Sequence, residues 1–183
     1  YGGYVLAMIA SLGLLQALLQ RGHTRVDIVM PYLSTRLQAA VNLLAPLRPS
    51  LLDLNCGCSV PKVLKAGAGA SLLRSPERLA ALVRAMRENS DAPVTVKIRS
   101  GWDSSSLNYL QVAEAAVRAG AAAVCLHPRT RAQGFTGRAD WTQIAELKRR
   151  LGAPVFGSGD VFSADDALRL ARETGCDAVL LAR

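Results

Sequence analysis

The sequence has little of what usually marks a function. Aromatic residues make up 5% of it and histidines number two. No G-x-G-x-x-G follows its first apolar runs, which counts against a dinucleotide-binding, doubly wound sheet. One C-x-C pair is present, but no second pair at zinc-ligand spacing, so no metal is expected. Acidic residues are scarce, 14 against 22 Lys and Arg, and the net charge of +8 favours an anionic partner such as phosphate or nucleic acid. The opening run "YVLAMIASLGLLQALL" falls short of the roughly 20 apolar residues of a membrane span. It contains Gly13 and Gln16 and has no basic segment before it, so it reads as a buried strand and helix and not as a leader or anchor. No linker, low-complexity tract or repeat divides residues 1–183, which therefore read as one domain. Four cysteines without a secretory signal suggest a reducing, cytoplasmic setting, and a monomer is expected.

What is present is alternation. Gly and Pro separate short apolar runs at 4–9, 26–30, 51–55, 94–98, 122–127, 154–157 and 178–182, nearly continuous in Val, Leu, Ile and Ala. Longer amphipathic runs lie between them. Ser75-Pro76 signals a helix start ahead of Leu79, Leu82, Val83 and Met86. Asp140 with Gln143, and Ser163 with Asp166, are capping pairs, and Gly175 closes the last helix. Ser34 and Ser106 are read as caps of two more. Such βα repetition predicts an α/β fold, a (β/α)8 TIM barrel, which usually takes about 250 residues. Both ends cut through apolar runs, so the barrel is expected to be incomplete, with the first strand missing.

In a barrel the chemistry gathers at the carboxyl ends of the strands. Asn55 ends one run and leads into Cys56-Gly57-Cys58. Lys97 and Arg99 sit in and after the next, His127 and Arg129 at the end of the one after. Ser158-Gly159-Asp160 follow the sixth and Arg183 the seventh. A lysine within "VTVKI" implies an anion or hydrogen-bonding partner, because a bare buried ammonium costs several kcal/mol. "GSGD" could cradle a phosphate on backbone amides. A disulfide between Cys56 and Cys58 would close a strained ring. Cys56 suits a place in the wall, whereas Cys58, past the strand end, is placed to act as nucleophile or general acid. The acid is favoured, as no Asp-His-Cys arrangement is evident.

The segments "DLNCGCSVPKVLKAGAGASLLRSPE", "VTVKIRSGWD", "LHPRTRAQGFTGRADW" and "GSGDVFSADDALRLARETGCDAVLLAR" resemble the tRNA-dihydrouridine synthases in order and spacing. The resemblance covers residues 51–183 closely and 1–50 loosely. It implies an FMN-dependent barrel followed by a helical domain that helps hold tRNA, and that domain is missing here. It also implies reduction of the C5–C6 bond of particular uridines with NADPH or NADH as reductant. The family's Asn-x-Gly-Cys motif falls on Asn55-Cys56-Gly57-Cys58, which makes Cys58 the proton donor and puts Asn55 near flavin and uracil. By the same resemblance Lys97 and His127 contact FMN, and Ser158, Gly159, Asp160, Ala182 and Arg183 hold its phosphate. Lys62, Arg99, Arg129 and Arg131 either grip tRNA phosphates or are solvated surface charge.

The departures from the family pattern are Ser59 where Pro is usual, Ser158 for Asn and Ala182 for Gly. The glutamine expected near 26–30 is absent; "VDIVM" stands there. Residues 1–183 alone are expected to bind FMN poorly and tRNA weakly. Two other readings stand beside this one. One is a flavin barrel of the dihydroorotate dehydrogenase kind, against which "HPRT" and "GFTGRADW" argue. The other is an RNA-binding remnant without flavin.

Overall fold

A computed structural model describes residues 25–28, as backbone, and 49–181. The runs at 4–9 and near Ser34 lie outside the described residues, as do Ala182 and Arg183. Six strands are seen: β1 (Arg25–Ile28), β2 (Leu51–Cys56), β3 (Val94–Arg99), β4 (Ala123–His127), β5 (Val155–Ser158) and β6 (Ala178–Leu180). Each falls on an apolar run and ends within two residues of it. Between them come α1 (Pro61–Lys65), a 3₁₀ turn (Gly69–Arg74), α2 (Pro76–Glu88), α3 (Tyr109–Arg118), α4 (Trp141–Arg150) and α5 (Ala164–Thr174).

The strands pair in parallel in the order β1-β2-β3-β4-β5-β6. Spatial order equals chain order, with no reversal. A doubly wound sheet reverses at a switch point, whereas a barrel wall winds one way. The described residues therefore form an arc of a (β/α) barrel, and its functional end is the carboxyl end of the strands.

The two strand faces differ, and here the structure departs from the reading of strands buried in apolar surroundings on both sides. Leu52, Leu54, Cys56, Val94, Val96, Ile98, Val124 and Leu126 pack with Leu79, Val83, Met86, Val112 and Ile144 of the helices in one core. The alternate positions after Leu51 on β2 and throughout β3 are polar, and His127 continues them on β4. Asp53 is the register partner of Thr95, Asn55 of Lys97, and Arg99 of His127, so these side chains line the concave face. The Thr95 hydroxyl donates to the buried Asp53 carboxylate. Lys97 belongs to a polar inner layer, which is why "VTVKIR" alternates.

Two of the predicted caps form as expected. Asp140 accepts from the Thr142 N–H, and Ser163 with Asp166 makes a reciprocal capping box. Ser75 precedes Pro76 but makes no side-chain cap bond. Ser106 is not a cap: its hydroxyl donates to Asp103, and α3 starts after Asn108.

Candidate active site

The Cys58 loop is built by its neighbours. The Asn55 side-chain oxygen accepts from the backbone N–H groups of Gly57 (3.0 Å) and Cys58 (3.1 Å), which folds the chain back over the end of β2. The Cys58 carbonyl accepts from the Ala70 N–H at 2.9 Å. Gly69, at φ +58°, lies so close that a β-carbon there would sit 2.6 Å from that carbonyl oxygen and 3.1 Å from the Cys58 Cβ. Cys58 is half-buried, whereas Cys56 is fully buried, and burial pushes its thiol far above the ordinary range. The two cysteines thus have opposite environments, one sealed among apolar side chains and one at the rim.

Lys97 lies beside this loop. A β-carbon on Gly57 would be 4.0 Å from its Nζ and 3.7 Å from the Arg99 Cγ. Arg99 is 4% exposed, which removes its reading as solvated charge. Its Nε donates to the Gly57 carbonyl (2.9 Å) and its Nη1 to the carbonyls of Thr130 (3.1 Å) and Gly134 (2.8 Å). Its guanidinium lies 5.5 Å from the centre of the Phe135 ring. Arg99 therefore clasps the loops after β2 and β4 together. Arg129 is equally hidden. It donates to the carbonyls of Thr136 (3.2 Å) and Gly137 (2.7 Å) and pairs with Asp160 at 2.6 Å. The other Asp160 oxygen accepts from the Ala139 N–H. Burial pushes the Asp160 carboxyl up, but this N–H and Arg129 outweigh it and hold the pKa below the usual carboxylate range.

His127 is buried among these cations. Desolvation, then Arg99, Lys97 and Arg129, push its pKa down to about 3, so it is neutral at physiological pH. Arg129 Nη1, which can only donate, is 3.3 Å from His127 Nε2. That makes Nε2 the acceptor and leaves the proton on Nδ1. Gly159, at φ +102°, packs on the same ring, since a β-carbon there would lie 2.8 Å from its Cδ2. A cavity of about 890 Å3 opens against His127, Arg129, Phe135, Gly159, Asp160 and Phe162. Ser158 closes its strand fully buried, and its hydroxyl has no hydrogen-bond partner among the described residues.

A family model described as dihydrouridine synthase matches residues 26–183. A probable tRNA-dihydrouridine synthase of Treponema pallidum is 46% identical over 145 residues, covering 74% of this chain and 43% of its own length. One from Synechocystis is 46% identical over 132 residues, 72% of this chain and 37% of the relative. The chain belongs to the dihydrouridine synthase family. It spans less than half the length of these curated relatives. A solved structure of a designed, cube-shaped protein cage shares the fold, with a TM-score of 0.53 at 17% identity over 92% of this chain and 46% of that one.

In this member of the family the structure brings Asn55, Cys58, Lys97, Arg99, His127, Arg129, Ser158, Gly159 and Asp160 to one end of the arc. Lys62 is exposed on α1. Arg131 is half-buried with its guanidinium 4.6 Å from the centre of the Trp102 ring. Residue spacing did not reveal Gly69, Phe135 or the bracing role of Arg99 and Arg129. The two glycines of "AGAG" were the one available hint. No His, Cys, Asp or Glu cluster able to hold a metal occurs among the described residues. No described helix is long and apolar enough to cross a membrane.

Proposed function

We propose that the protein acts as a tRNA-dihydrouridine synthase, saturating the C5–C6 bond of uridine in tRNA, with Cys58 as the acid that protonates C5. The observation that carries this is the contrast between the two cysteines. Cys58 stands half-exposed on the rim that also holds Lys97 and His127, while Cys56 is sealed.

FMN suits the residues present. The inner face is cationic around His127, Ser158 offers a buried hydroxyl without an acceptor, and Gly159 keeps the His127 edge of the cavity open. Lys97, His127, Ser158 and Gly159 would hold it, with the ammonium of Lys97 favouring an anionic ring. When bound, FMN would supply hydride to uracil C6, with NADPH or NADH as the source of its electrons. The Arg99–Gly57 and Asn55 bonds fix the loop, so the thiol meets its substrate in one place. Asp160 is directed by Arg129 and Ala139 toward bracing the loop, and the Ser158 hydroxyl is left for the phosphate. Because the target base is stacked in folded tRNA, it must swing out to reach the thiol.

The reading is tested by the dihydrouridine content of tRNA in cells lacking the gene, complemented with the wild-type or the Cys58→Ala protein. Dihydrouridine restored at particular sites by the wild type, and not by Cys58→Ala, is expected. Equal restoration by both would reject Cys58 as the acid.

A further inference from the structure

Four arginines cluster at the carboxyl end of the arc, and two of them have no part in bracing it. Arg74 ends the 3₁₀ turn, and its guanidinium lies 5.0 Å from the centre of the Trp102 ring. Arg131 lies 4.6 Å from the same centre. The loops after β3 and β4 force this arrangement. The Arg131 N–H donates to the Gly101 carbonyl, and the Ala132 N–H to that of Trp102, both at 2.9 Å. These bonds lay the two loops side by side and bring Arg131 onto the indole.

Neither guanidinium is in an ion pair among the described residues, whereas Arg118, Arg150 and Arg169 each have a carboxylate. A second cavity, of about 390 Å3, opens between Arg74, Trp102, Asp103 and Ser105. Asp103 is the one acid in its lining, and its carboxylate is turned to its own loop, accepting from the Ser105 N–H and the Ser105 and Ser106 hydroxyls. Arg131 is outside this lining but lies over the same indole as Arg74, so two guanidiniums and one such acid gather at Trp102, a net positive charge. An indole that holds both guanidiniums limits their rotamers, so less side-chain entropy is lost on meeting an anion.

We infer that Arg74, Trp102 and Arg131 form a docking point for the ribose-phosphate backbone of an RNA strand, next to the nucleotide that enters the active site. The connection to the site is physical. The 3₁₀ turn that ends in Arg74 begins at Gly69, in contact with Cys58. Five steps at roughly 2.0 Å of rise put the Arg74 backbone on the order of 10 Å from Gly69, which touches Cys58. That separation suits a flanking phosphate and not the reacting base. The inference rests on the proposed function in that the RNA is the substrate strand.

The test uses full-length protein and an unmodified tRNA transcript, with binding titrated against salt. Arg74→Gln and Arg131→Gln keep a planar side chain and remove the charge. Arg118→Gln, on the outer face of α3, serves as the control. The double variant is expected to bind roughly ten-fold more weakly, as two exposed charge contacts would predict. The slope of log affinity against log salt should become shallower by roughly 0.7 to 0.9 per arginine. Unchanged affinity and slope in a double variant that melts like the wild type would overturn the docking point. A wild-type protein that binds no tRNA would instead overturn the proposed function.

Discussion

The loops after β3 and β4 and the loop after β5 sit side by side at the same end of the arc, and they are built on opposite terms. In the first region the two buried cations are paired within the protein, although Asn108 Oδ1 and Arg131 Nε have no partner among the described residues. Arg99 reaches Gly57, Thr130 and Gly134, and Arg129 reaches Thr136, Gly137 and Asp160. In the second, Ser158 buries a hydroxyl with no partner among the described residues, Asp160 holds a φ of +56° that non-glycine residues rarely adopt, and Phe162 is 84% exposed. One region is held together from within by Arg99 and Arg129. The other has groups in waiting, as a surface that closes on a ligand would. The comparison predicts that substitutions at the bracing residues Arg99 and Arg129 act on stability and those after β5 on ligand response.

Arg129→Ala should break this contrast most severely. It leaves two carbonyls without their donor and Asp160, a quarter exposed, without its cation. Removing one partner of a largely buried pair destabilises by about 3–5 kcal/mol. Urea unfolding should therefore show a much lower midpoint at an unchanged slope. A loss under about 1 kcal/mol, the range of an exposed pair, would mean that the 130–137 loop is held by something else.

Gly69→Ala, next in size, is paired with Gly175→Ala. The two glycines share a left-handed backbone, φ +58° and +67°. They differ in surroundings: the β-carbon at 69 would meet the Cys58 carbonyl at 2.6 Å and Val63 at 2.9 Å, and at 175 nothing lies within 4 Å. Each should lose about 1–2 kcal/mol to the backbone conformation. Only Gly69→Ala should also displace Cys58, seen as an altered rate of thiol alkylation and a fall in dihydrouridine formed. If both variants kept the wild-type alkylation rate, Gly69 would be a turn residue and nothing more.

The fold was readable where local chemistry decides. Gly and Pro fixed the strand limits, and the Ser163–Asp166 pair marked its helix because both bonds lie within one turn. Ser106 misled for a physical reason: Asp103, three residues earlier, captures its hydroxyl, and the Gly101–Leu107 bridge keeps the chain extended. Strand-end positions exposed Asn55, Lys97 and His127, since period-two alternation sends them to one face. Arg99 and Arg129 were legible as charges and not as braces. The Arg99 contacts come from residues 31 to 42 positions away, and no local pattern encodes them.

The smallest effect is the most discriminating. Ser158→Ala removes a hydroxyl that is buried without a partner among the described residues. A buried polar group left unsatisfied costs about 1–3 kcal/mol, so taking it away should leave the ligand-free protein as stable as before or up to about 1 kcal/mol more stable. With FMN added to full-length protein the order should reverse. The wild type should gain in melting temperature, because a ligand that binds only the folded state stabilises it by mass action. The variant should gain less. A drop in ligand-free stability instead would mean that the hydroxyl is bonded within the protein. The loop after β5 would then be finished scaffold like its neighbours, and the difference between the two regions would vanish.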